Sequence, residues 1–89
     1  MGWVTRAGYK SVEFIKQFEK RIAYFHIKDT LPEGKWTEVG KGIVDFKSIL
    51  ALLKDLKRDD WLTVERDETL VQAFESAKES REALKALGV

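Results

Sequence analysis

His26 is the only histidine of this 89-residue chain. It sits near the end of an apolar stretch, Ile22-Ala23-Tyr24-Phe25-His26-Ile27-Lys28, and a second stretch, Trp61-Leu62-Thr63-Val64-Glu65-Arg66, carries a carboxylate at the matching place. β-Branched and aromatic content makes both segments strands, over 22–28 and 61–66. Alternation puts Ile22, Tyr24, His26 and Lys28 on one face of the first strand, and Trp61, Thr63 and Glu65 on one face of the second. Those faces turn polar only at their C-terminal ends. An imidazole and a carboxylate on neighbouring strands make two ligands for a divalent metal, Mn, Mg, Co or Zn. Lys28 adds a point charge suited to a phosphate or hydroxyl of a substrate. A purely structural His26–Glu65 hydrogen bond and a solvated Lys28 have the same spacing, so the residues alone leave both readings open.

Composition removes several other chemistries. Sixteen Lys+Arg against fifteen Asp+Glu leave a net charge of +1, so neither nucleic acid nor an anionic membrane is an expected partner. With no cysteine there are no disulfides, thiolate nucleophiles or Cys-type metal sites. One histidine also excludes any site needing two imidazoles from one chain. No apolar run approaches the roughly 20 residues of a membrane span, and the N-terminus lacks a signal-peptide core. The expectation is a cytoplasmic, core-forming single domain.

The elements that must position these residues follow from period and punctuation. Residues 1–10 hold two glycines without a clear period and read as an irregular lead-in. Ser11 suits a helix N-cap, and Val12, Ile15 and Phe18 keep helical spacing over 11–20. Residues 29–44, with Pro32, Gly34, Gly40 and Gly42, form a long loop in which Asp29 is placed to bind backbone amides. Asp45 caps a helix over 45–57 built on Phe46, Ile49, Leu50, Leu53 and Leu56. Lys57 to Asp60 turns the chain. A last helix spans 69–87, with Leu70, Ala73, Phe74, Ala77, Leu84 and Leu87 inward and Gly88 at the C-terminal cap. Gly40-Lys41-Gly42 lacks the frame of a phosphate loop and reads as turn geometry. Trp3, Trp36 and Trp61 read as core or loop-packing aromatics.

The fold class is therefore α/β: two parallel strands with three helices. Two parallel strands have two open edges and too little area to stand alone. The chain is expected to complete its sheet by self-association, as a dimer or higher oligomer with exchanged strands or helices, or as a piece of a larger sheet.

The residues also resemble a family. Phe14-Ile15-Lys16 through Arg21 to Thr30 is similar to the "EFIKKY…RIxxxHLKDT" stretch of the xylose-isomerase-like sugar-phosphate isomerases and epimerases. Trp36-Thr37-Glu38-Val39-Gly40-Lys41-Gly42 with Val44-Asp45-Phe46 resembles that family's W-x-E-hydrophobic-G-x-G loop. Trp61 to Glu65 resembles its final strand, and Glu75 to Gly88 its closing helix. The resemblance implies a (β/α)8 barrel, of which this chain matches the last quarter. It also implies a divalent metal held by four ligands, with His26 and Glu65 supplying two of them. In the epimerases of this family the final glutamate also moves a proton beside a carbonyl, so Glu65 is the catalytic candidate. The expected function is that of a C-terminal fragment of a metal-dependent sugar or sugar-phosphate isomerase or epimerase, weak in metal binding and inactive alone. The alternative is a self-associating, non-catalytic scaffold derived from a barrel.

Overall fold

The computed structural model describes residues 1–67 and 71–89. In chain order the elements are α1 (Gly2–Arg6), α2 (Ser11–Phe18), a 3-10 turn (Glu19–Arg21), β1 (Phe25–Ile27), β2 (Asp29–Thr30), β3 (Trp36–Thr37), α3 (Phe46–Asp55), β4 (Leu62–Val64) and α4 (Ala73–Ala86). β1 and β4 pair in parallel, with His26 opposite Thr63 and Ile27 opposite Val64. The ladder runs on at both ends, through Phe25 N–H to Trp61 O at 3.2 Å and Glu65 N–H to Ile27 O at 3.0 Å.

Period-two alternation gives this strand pair one covered and one bare face. Phe25 and Ile27 are buried in a cluster with Ile15 of α2, Phe46, Ile49 and Leu53 of α3, and Leu84 of α4, and Leu62 and Val64 pack against it. Burial of each such side chain contributes about 1.5–3 kcal/mol, which sets the helices on this side. The other face carries Tyr24 and Trp61, 56 % and 84 % exposed, with His26 and Thr63 also exposed. Trp61 is thus no core aromatic.

Three stretches differ from the sequence reading. The lead-in contains α1, pinned because Gly2 lies against the Lys28 carbonyl, where a Cβ would come within 2.5 Å. The loop over 29–44 contains an antiparallel hairpin, β2–β3, whose two-residue strands are too short to show alternation. Its remainder is gathered by the buried Asp29 carboxylate, which accepts from the amides of Thr30, Gly40, Gly42 and Val44 at 2.9–3.1 Å. Gly42 packs directly on that carboxylate and leaves no room for a side chain.

In α4 the buried positions are Ser76, Ser80 and Leu84. Phe74 is 82 % exposed, and Ala73, Ala77 and Leu87 are exposed too. The phase is set by the loop: Ser80 Oγ accepts from Val39 N–H at 3.2 Å and Ser76 Oγ donates to Glu38 at 3.0 Å. Small hydroxyl side chains let that loop approach the helix. The expected inward Leu70 and the helix start at Thr69 lie outside the described residues.

Ser11 is the first residue of α2 instead of its cap, and its hydroxyl donates to Met1 O at 3.3 Å. Asp45 does cap α3, accepting from the Ser48 amide at 3.1 Å and its hydroxyl at 2.6 Å. Those bonds, hydroxyl first, hold the Asp45 carboxyl below its usual range.

The N-terminal ends of β1 and β4 are tied by Arg58. Its Nε donates to Asp60 at 2.5 Å and its Nη2 to Ile22 O at 2.6 Å and Asp60 at 2.8 Å, while Nη1 reaches the Glu19 carbonyl. The guanidinium also lies over the Phe25 ring.

Candidate metal and acid–base site

The C-terminal ends of β1 and β4 carry the other polar cluster. The parallel register places Thr63 opposite His26, so Glu65, two residues on, projects from the same face just beyond it. His26 Nδ1 and Glu65 Oε2 are 3.0 Å apart. Both side chains are partly open to solvent, at 48 % and 34 % exposure. The second oxygen of Glu65 lies 3.4 Å from the Lys28 ammonium, which also donates to Asp67 at 2.5 Å. The structure therefore brings His26, Lys28 and Glu65 together.

Lys28 differs from a solvated strand-end lysine: its side chain is buried. Trp36 and Trp3 cover it, with ring centroids 4.2 and 5.2 Å from the ammonium. The two indoles meet edge to face at 4.7 Å, and Arg6 lies against both rings from α1. Asp67 and the tryptophan pair were not among the candidate site residues. Period two from Glu65 points to Asp67, whereas nothing in the irregular-looking first ten residues points to Trp3.

Behind this rim the loop is fastened to α4 by Glu38, which takes bonds from Ser76 at 3.0 Å and Arg66 at 3.4 Å. Burial pushes its carboxyl up, but its own amide, Ser76, Arg66 and Lys41 outweigh that and hold it below the usual range. Glu38 is thus engaged in fastening the loop.

The donor chemistry fits part of a divalent-metal site. His26 Nδ1 and Glu65 Oε2, 3.0 Å apart, are a nitrogen and an oxygen donor of the kind that would serve such an ion. The same spacing serves a hydrogen bond when the ion is absent. Among the described residues no group of three or more His, Asp or Glu side chains is placed to hold a metal.

A parallel strand pair backed by helices, with polar side chains gathered at its C-terminal edge, is consistent with part of a (β/α) barrel, in which that edge carries the chemistry. The sequence profile of the xylose isomerase-like TIM barrel matches residues 2–87, and the chain belongs to that family. Among its relatives are inosose dehydratases. That of Clostridium botulinum (strain Eklund 17B / Type B) is 27 % identical over 104 residues, covering 94 % of this chain and 35 % of the relative. That of Klebsiella pneumoniae (strain 342) is 26 % identical over 104 residues, covering 93 % and 35 %. The Geobacillus kaustophilus (strain HTA426) protein is 26 % identical over 106 residues, covering 97 % and 34 %. The chain spans about a third of the length of these curated relatives.

Proposed function

We propose that this chain is the C-terminal portion of a cytoplasmic, divalent-metal-dependent barrel acting on a polyhydroxy ketone: a sugar, a sugar phosphate or an inosose. The observation that carries the reading is the His26–Glu65 pair, 3.0 Å apart on the bare face of parallel strands. The bare face corresponds to the lumen side of a barrel. The remaining ligands and the second proton-transfer group come from outside these 89 residues, either from further strands of a longer chain or from other copies of this one.

His26 and Glu65 would hold the ion, which when bound supplies Lewis-acid polarisation of the substrate ketone. Glu65 takes or returns the proton on the carbon beside that carbonyl. Isomerisation, epimerisation and dehydration of a polyhydroxy ketone share this step: the C–H bond breaks and its electron pair moves toward the carbonyl. In dehydration the pair then returns to form a C=C bond as the C–O bond to the hydroxyl on the next carbon breaks, and that oxygen leaves as water by taking up the proton first removed from carbon. One proton-transferring carboxylate of two makes the isolated chain inactive, since losing a positioned acid or base costs about 10²–10⁴ in rate.

Manganese titration tests the half-site. The wild-type chain should bind with millimolar affinity, and the His26→Ala, Glu65→Ala double variant should bind more weakly by at least tenfold. Identical curves would make the pair structural. Exposed Tyr24 and Trp61 on the bare face carry the reading of assembly. Analytical ultracentrifugation should show a dimer or larger species, and a folded monomer of 10.3 kDa at all accessible concentrations removes that element.

A further inference from the structure

Lys28 has a position that a substrate-binding lysine does not need. Its side chain is only 1 % exposed although it stands at the rim, beside half-open Glu65 and Asp67. Two indole rings close over the ammonium at 4.2 and 5.2 Å. Turning it out to meet a ligand means leaving both rings and two carboxylates at once. Meanwhile it occupies Oε1 of Glu65, whose Oε2 faces His26. The carboxylate that a metal ion would use is thus shared beforehand with a fixed cation.

We propose that Lys28 is a resident counter-ion of this site. It is a positioning residue that holds Glu65 by Oε1 and, by its charge, lowers the affinity of the His26–Glu65 pair for a divalent ion. The inference rests on the metal reading above. The Trp3–Trp36 enclosure is what gives it force, because an ammonium on a free stem would swing away from an arriving cation and cost little. Asp67 moderates the effect by drawing the ammonium toward itself at 2.5 Å. Removing the cation and removing its second partner should therefore move metal affinity in opposite directions.

The experiment counts free Mn²⁺ by electron paramagnetic resonance as the full chain is titrated. Lys28→Met keeps a long unbranched side chain beside the indoles and drops the charge. Its dissociation constant should fall roughly tenfold, the size expected of one unit charge beside a divalent ion even at the permittivity of water. Lys28→Arg, which keeps the charge, should stay near wild type. Asp67→Asn leaves the ammonium to Glu65 alone and should raise the constant several-fold. A constant for Lys28→Met equal to or above wild type overturns the proposal. If that variant fails to fold by circular dichroism, Asp67→Asn, at a half-exposed position, decides by itself: unchanged or tighter binding overturns it. Binding that depends on His26 and Glu65 but ignores Lys28 defeats only this inference. Binding indifferent to His26 and Glu65 defeats the metal reading as well.

Discussion

At the N-terminal ends of β1 and β4, Arg58 spreads its donors over the Ile22 and Glu19 carbonyls and both oxygens of Asp60. At the C-terminal ends, Lys28 meets Glu65 and Asp67, and Glu65 meets His26. Both clusters set a cation against carboxylates that flank the same strand pair. At the first end both partners are shielded, Arg58 and Asp60 being 15 % and 13 % exposed. At the second the cation is buried while the carboxylates and the imidazole remain partly open, with acceptor and donor capacity to spare. A satisfied, closed cluster stabilises; an open one is available to bind. In complete (β/α) barrels stability concentrates at the N-terminal face and chemistry at the C-terminal one, and the function proposed above would divide these two ends in the same way.

The largest effect should come from breaking the closed end. Arg58→Ala takes the donor from the shielded Asp60 carboxylate and the Ile22 carbonyl and one of two donors from the Glu19 carbonyl, and should cost about 2–4 kcal/mol. That is a large share of the roughly 5–15 kcal/mol that holds a small domain together. His26→Ala, the corresponding deletion at the open end, should cost under about 1 kcal/mol, because both members of its pair are solvated. Urea unfolding of both variants measures the contrast. Equal losses would mean that the two ends do not differ in the way their burial indicates.

The open end was largely legible from sequence and the closed end was not. Strand alternation alone places His26 and Glu65 on one face, since a side-chain period of two holds wherever the backbone is extended. The core residues Phe25 and Ile27 follow from the same alternation. Arg58 lies in a charged run, Lys57-Arg58-Asp59-Asp60, in which nothing local tells a clasp from a solvated turn. Its partners Glu19 and Ile22 are more than thirty residues away in the chain. Long-range contacts also explain α4, where Ser76 and Ser80 are inward because a loop some forty residues earlier bonds to them. Phe74 and Ala77 gave a better hydrophobic pattern and the wrong phase. The Lys28 enclosure was hidden for a third reason: Trp3 belongs to a five-residue helix, too short to show a period.

A smaller effect, sharpening the same comparison, should appear in acid. The hydrogen bond from Arg58 to Asp60, with the guanidinium charge behind it, holds that carboxyl below the ordinary carboxylate range, and burial only partly opposes this. In the unfolded chain Asp60 returns to about 3.9. A carboxyl whose folded value is depressed contributes stability that is fully present above the unfolded value and is lost as pH falls through the folded one. Asp45 at the α3 cap and Glu38 under the loop are depressed too, so their contributions carry the same sign. The wild-type urea midpoint should therefore hold steady from pH 7 to about 5 and decline below about pH 4. Asp60→Asn should start lower at pH 7, and its gap to wild type should narrow as the pH drops, because protonation removes from the wild type what the substitution has already removed. A gap that stays constant from pH 7 to 2.5 would show that what Asp60 contributes does not depend on its charge, and no gap at all would show that Arg58 acts through its carbonyl bonds alone.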